Sequence, residues 1–199
     1  MATGGHLVSQ DGQALATRAH ERARRPVVGY AADYPDGWRT GMHWHPRAQL
    51  LTATGGVMRV EAEGNGYVVP PGTGLFVPAR LEHRVTMDGM VRMRALFLRP
   101  DAARKGPDRA AVIAVSPLLR ELILAACAEP LAWDLRGRGR HLAALALDEI
   151  ARAEALPLAL PMPRDARARR VAEAIRAAPG DGRDLAAHGL VAGASARTL

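Results

Sequence analysis

Between Pro26 and Pro100 the sequence breaks into short β-prone runs: VVGYAADY, AQLLTAT, VMRVEAE, YVVP, GLFVP, HRVTM and VRMRALFL. The breaks between them are PDG, TGG, GNG, PPGTG and MDG. β-Branched and aromatic residues favour an extended chain, and Gly, Pro, Asn and Asp supply the backbone angles of tight turns. Many short strands at this spacing leave room for little but an all-β sandwich or barrel.

The flanks have a different texture. Residues 1–25 are polar, basic and weakly patterned, and read as a flexible arm with room for a short helix. Residues 101–156 read as helical. Ser116-Pro117 offers an N-cap and a first-turn proline ahead of LLRELILAACAE, which Pro130 stops. A second helix is predicted from about Arg138 to Ala155, with an apolar face including Leu142, Leu145 and Ile150. Residues 157–164, with Pro157, Pro161 and Pro163, read as a linker. Residues 165–199 hold a third helix from Asp165 to about Ala178, a turn from Pro179 to Gly182, and a fourth helix beginning at Asp184. No internal repeat interrupts this order.

Composition narrows the classes. The 199 residues suffice for one ordinary domain and a small addition. A single cysteine, Cys127, excludes an intrachain disulfide framework and a multi-cysteine zinc site. Cys127 lies in an apolar helical run and reads as a small core residue rather than a reactive thiol. No apolar run approaches the ~20 residues a bilayer span needs, and the N-terminus has no apolar signal region. A cytoplasmic protein without membrane contact is the expectation. The net charge of +7 comes from 27 Lys+Arg against 20 Asp+Glu, with Lys105 the only lysine. So much Arg beside so much Ala and Gly fits the codon bias of a GC-rich genome, which weakens charge as a pointer to a polyanion partner.

The chemistry concentrates at His43-Trp44-His45. On a strand the two imidazoles share a face. His83 opens a later strand, and Gln49 follows His45 by four. Three imidazoles and an amide gathered in a barrel make an open site for a divalent transition metal. The alternative is a metal-free polar pocket for an organic ligand. No paired acid and base and no activated serine or cysteine accompanies them.

Two spacings carry a resemblance. Gly37, His43-x-His45, Gln49 and Gly56 follow one cupin motif, with Gln where Glu is usual. Gly72, Pro78-x-Arg80 and His83 follow the other, with Arg where Gly is usual and Met87 where Asn is usual. The segment from Gly37 to Met87 resembles the cupin superfamily, which implies a double-stranded β-helix barrel and His43, His45, Gln49 and His83 as metal or effector ligands.

The C-terminal stretch adds a second resemblance. Asp184-Leu185-Ala186-Ala187 opens a helix, Gly193-Ala194 forms a tight turn, and Ser195 caps Ala196-Arg197-Thr198-Leu199. This ending is similar to the first helix-turn-helix of the AraC/XylS regulators. The likeness, joined to the barrel, runs from Pro26 to Leu199. It implies a sensor barrel for a small effector, a helical pair that joins a homodimer, and DNA contacts from Ser195, Arg197 and Thr198. It also implies a chain that stops inside its recognition helix, without a second helix-turn-helix and without tight specific DNA binding as it stands. The resulting expectation is the sensing and dimerisation portion of an AraC-type transcription regulator, not an enzyme. Two alternatives stand beside it: a metal-dependent cupin acting as isomerase or dioxygenase, and a structural dimerisation barrel whose histidines are core residues.

Overall fold

A computed structural model of the chain describes residues 6–7, 17–178 and 180–197. In order the elements are β1 (His6–Leu7), α1 (residues 17–22), β2 (Val27–Tyr34), β3 (Ala48–Ala53), β4 (Val57–Ala62), β5 (Asn65–Val69), β6 (Thr73–Val77), β7 (His83–Asp88) and β8 (Val91–Leu98). A short 3-10 turn (Ala102–Lys105) then leads to β9 (Ala111–Ala114), α2 (Pro117–Ala128), α3 (Arg138–Arg152), β10 (Ala155–Leu156), β11 (Ala159–Pro161), α4 (Ala166–Ala177) and α5 (Leu185–Ala192). They form two compact units, one running to Glu63 and from Tyr67 to Ala159, the other taking Gly64–Gly66 and Leu160 onward.

The first unit is the expected β barrel followed by helices. One sheet runs β1-β2-β8-β3-β6-β9-β10, and the other holds β5-β4-β7. β8 is paired on both sides and antiparallel to both neighbours: Val27 faces Leu98 and Tyr34 faces Val91 on β2, while Gln49 faces Phe97 on β3. β4 pairs antiparallel with β7 from Val57–Asp88 to Ala62–His83. Strand alternation sorts the side chains into two cores. Leu51, Val77, Ala95 and Phe97 point inward to meet Met58, Val60, Val85 and Met87 of the second sheet. Their neighbours Leu50, Phe76, Leu96 and Leu98 point outward and are covered by Leu119, Leu122 and Ile123 of α2 and Ala143, Ala146 and Ile150 of α3.

The helix signals act as sequence chemistry dictates. Ser116 Oγ accepts the Leu119 N–H at 3.0 Å and donates to Glu149 Oε2 at 2.6 Å, tying the start of α2 to α3. α2 lies so close to β2 that a Cβ on Gly29 would stand 2.3 Å from the Cys127 nitrogen. At the β3–β4 turn Gly56 adopts φ 72°, and a Cβ there would meet Met90 O at 2.6 Å.

Two findings extend the sequence reading. β structure continues past Pro100: β9 pairs with β6 and β10 pairs with β9. Val112 joins the inner core and Ile113 the outer one, a half-period too short to read as a strand from the sequence. Residues 17–25, read as a flexible arm, are built onto the barrel. Thr17 is buried, and the buried Arg47 guanidinium donates to the carbonyls of Ala23 (2.7 Å), Arg25 (2.6 Å), Pro26 (3.1 Å) and Phe97 (3.3 Å). Burial, then Arg99, lowers its pKa to about 10, which leaves it charged. The stretch read as a linker contains β11.

In the second unit Asp165 caps α4 through the N–H groups of Arg167 and Ala168, and Asp184 caps α5 through that of Ala187 at 2.8 Å. Gly193, in the left-handed region at φ 71°, ends α5, and Arg170 donates to Ala192 O at 2.8 Å. Among the described residues no helix is long and apolar enough to cross a membrane.

Candidate functional site

The segment carrying His43 and His45 is not a regular strand. Pro46 has no N–H to offer a ladder, and only an isolated antiparallel bridge forms: His43 N–H donates to His83 O at 3.0 Å and His83 N–H to His43 O at 2.8 Å. The bridge still delivers the expected gathering. The ring centroids of His43 and His83 are 4.4 Å apart, those of His43 and His45 4.8 Å, and those of His45 and His83 5.5 Å. Each ring offers one ligand atom within 4.8 Å of the others.

The hydrogen bonds of the three rings decide which nitrogen of each is free to ligate. His43 Nδ1 lies 2.9 Å from Gly41 O, His45 Nδ1 2.7 Å from Glu21 Oε1, and His83 Nδ1 3.0 Å from Leu81 O. A carbonyl or carboxylate oxygen only accepts, so each Nδ1 carries a proton, and in a neutral ring the lone pair is then on Nε2. Burial pushes His83 down to about 3, with the neighbouring His43 adding to the shift. Burial also lowers His45, outweighing the opposing pull of Glu21. Both rings are therefore neutral near pH 7, the form that ligates metal. The His45–Glu21 contact is accordingly a charge-assisted hydrogen bond rather than an ion pair.

Gln49 shares its β3 face with Leu51 and Ala53, whose side chains belong to the inner core. It is paired with Phe97, whose ring lies 5.4 Å from that of His45. Its Oε1 is buried with no hydrogen-bond partner. Three imidazole nitrogens within 4.8 Å of one another are a donor set that suits a first-row divalent transition ion, and a partnerless amide oxygen such as Gln49 Oε1 is a compatible further donor. In the inner core Trp38 Nε1 is likewise buried without a partner, its ring against that of Tyr34 at 4.5 Å. The Tyr34 hydroxyl in turn meets that of Tyr30 at 3.0 Å.

Two residues, Glu21 and Trp38, escaped the sequence reading. Glu21 had one signal, as the single acid in the basic run RAHERARR (18–25). Trp38 had none. Arg80 takes φ 66° while its N–H donates to His45 O at 2.7 Å. That left-handed backbone strains a non-glycine residue, and it falls where the cupin motif has Gly. Cys127 is partly buried against the outer core: burial pushes its thiol to about 11, and Sγ donates to Tyr30 O at 3.3 Å. Ser195 and Arg197 follow α5 in non-helical chain, and Thr198 lies outside the described residues.

A small double-sheeted barrel with three gathered histidines has the architecture of a cupin-like domain. Residues 26–160 match the family described as the AraC-like ligand binding domain, and the chain belongs to that family. It is similar to the HTH-type transcriptional regulator NimR of Escherichia coli (strain K12), 26% identical over 138 residues, which cover 69% of this chain and 50% of that protein. The chain thus spans about half the length of this curated relative. Among solved structures it is similar to an RmlC-like cupin from Shewanella frigidimarina NCIMB 400 (19% identity, 37% of this chain, 66% of that one, TM-score 0.35). A Cupin 2 conserved barrel domain protein from Salinispora arenicola CNS-205 is similar to the same degree (20% identity, 40% of this chain, 69% of that one, TM-score 0.35).

Proposed function

We propose that this chain is the effector-sensing portion of an AraC-type transcription regulator of the cytoplasm. A divalent transition ion on His43, His45, His83 and Gln49 would form the floor of its effector site. The gathering of His43, His45 and His83, each with one ligand atom within 4.8 Å of the others, inside a domain of the AraC-like ligand binding family carries this reading, and the partnerless Gln49 Oε1 supports it. A tetrahedral ion held by the three histidines alone, or an octahedral ion held by all four donors, keeps a position open, which an effector oxygen can take. Trp38 Nε1 offers a second, donor contact within the same core.

In this reading α2 and α3 join two copies, a role supported by Leu118 and Leu145 standing exposed on them. Ser195, Arg197 and Thr198 belong to the segment that meets DNA in the complete protein. The effector shifts DNA binding only as far as it prefers one arrangement of the two copies over another. Glu21, the carboxylate hydrogen-bonded to the trio, is committed to His45 Nδ1, which favours sensing over proton-transfer chemistry.

The test is a thermal-shift screen of the 199-residue chain against small metabolites, with ion-loaded and chelator-treated protein in parallel. A compound that raises Tm saturably, depends on Gln49 and His83, and is recovered unchanged supports the sensor. Conversion of that compound would contradict it and favour the cupin enzyme.

A further inference from the structure

We infer that Glu21, outside the residues matched to the family, is the positioning carboxylate of this ion site, so that the ion and helix α1 hold each other in place. The inference rests on the ion-binding reading above and goes beyond it in assigning a role to the chain upstream of the barrel.

Charge is the first ground. His43, His45, His83 and Gln49 are all neutral donors, so a divalent ion among them would bring its full charge into a buried place. Uncompensated charge in such a place is costly. The carboxylate hydrogen-bonded to a ligand is Glu21, whose side chain is itself only 22% exposed. Through the 2.7 Å bond to His45 Nδ1 it draws the ring proton away from Nε2, raises the basicity of that nitrogen and fixes the ring's rotation.

The second ground is that Glu21 is delivered by contacts independent of the site. Arg47 grips the carbonyls of Ala23 and Arg25 just downstream. The ring of His20 stands edge-on to Tyr30 at 5.1 Å and lies 5.8 Å from Phe97. Phe97 packs in turn against His45 at 5.4 Å. α1 is thus seated on the same inner residues that back the histidines, with Glu21 as its polar link to them. Coupling of this kind is reciprocal: whatever Glu21 adds to ion affinity, the ion adds to the seating of α1.

The test uses the whole chain and Co2+ alone, titrated by its visible d–d absorption with Zn2+ as competitor. The native chain is compared with Glu21→Gln, Glu21→Asp and a control, Glu61→Gln, whose carboxylate meets Arg84 instead. The expected result is a single Co2+ site that Glu21→Gln weakens about 10–100-fold with an altered d–d band. Glu21→Asp should recover part of the loss, and Glu61→Gln should change nothing. Co2+ should also slow amide exchange over residues 17–22 in the native chain and not in Glu21→Gln. Native Co2+ affinity and unchanged α1 exchange in Glu21→Gln would overturn the role of Glu21 and leave the histidine site standing. Failure of the native chain to take up Co2+ would overturn both.

Discussion

In the first unit Leu50, Phe76, Leu96 and Ile113 on one sheet face meet Leu119, Ile123, Ala146 and Ile150 from two helices, and all are almost fully buried. In the second, α5 leaves Leu190 83% and Val191 77% exposed, and its buried members include His188, Gly189 and Ala192. Its helices, 12 and 8 residues long, are of a length that is marginal without packing. What defines them is capping: Asp165, Asp184 and Gly193 act within a turn of their own positions. The barrel is held by contacts between residues far apart in the chain, the C-terminal helices largely by neighbours. That contrast bears on the candidate site, because only long-range packing can hold three imidazoles from separate segments within 4.8 Å of one another.

The largest effect that sharpens the contrast comes from two glycines. Gly29→Ala puts a methyl 2.3–2.5 Å from the backbone of Ala126 and Cys127, and α2 must lift off the sheet. A loss of about 3 kcal/mol is expected in denaturant unfolding. Gly182→Ala, in the second unit, meets nothing within 4 Å and should stay within about 0.5 kcal/mol of the native chain. Equal effects at the two positions would break the comparison.

Acid should separate the units next. His83 has an ordinary value of 6.5 and a folded value of about 3, so in the metal-free protein the unfolded chain takes up the proton first. Its contribution is complete above pH 6.5 and is lost as pH falls toward 3. Asp165 is lowered from 3.8 to about 2, by the Arg167 side chain first and then by the backbone N–H groups it caps. Its contribution persists above pH 3.8 and disappears as pH falls through about 2. Near-UV circular dichroism from the barrel aromatics should therefore decline at a higher pH than the helical signal of α4 followed by NMR. The reverse order would contradict the placement of His83 as a buried neutral ring.

How far the sequence reveals this molecule follows the same division. The strands β2, β3, β4, β6, β7 and β8 lie almost where the β-prone runs put them, because alternation and turn residues are local signals. Ser116, Asp165 and Asp184 announce their helices for the same reason. The trio of His43, His45 and His83 was legible from spacing, although the segment around His45 proved to be a bridge rather than a strand. Glu21 and the Arg47 clamp were not legible. Their partners lie more than twenty residues away, and no periodicity marks a contact that the closed barrel itself creates. β9 was missed because four residues carry too little pattern to distinguish a strand from a loop.

Smaller effects test the local side. Asp184→Ala removes the α5 cap and should cost about 1 kcal/mol, seen as faster amide exchange over residues 185–192 with Co2+ affinity unchanged. Arg80→Gly relieves the left-handed backbone beside His45 and should raise the stability of the barrel by about 0.5–1 kcal/mol, measured by thermal unfolding. A fall in stability there would mean that the Arg80 side chain, rather than its backbone, matters to the fold.

The central claim is that three histidine Nε2 atoms hold a transition ion inside the sensor barrel. Elemental analysis of the chain purified without chelator and of the His43→Ala/His83→Ala double variant tests it most directly. A near-stoichiometric first-row transition metal in the native chain, absent from a folded double variant, is the expected result. Unchanged metal content in the double variant, or a native chain that stays metal-free after incubation with Zn2+ and Co2+, would contradict it.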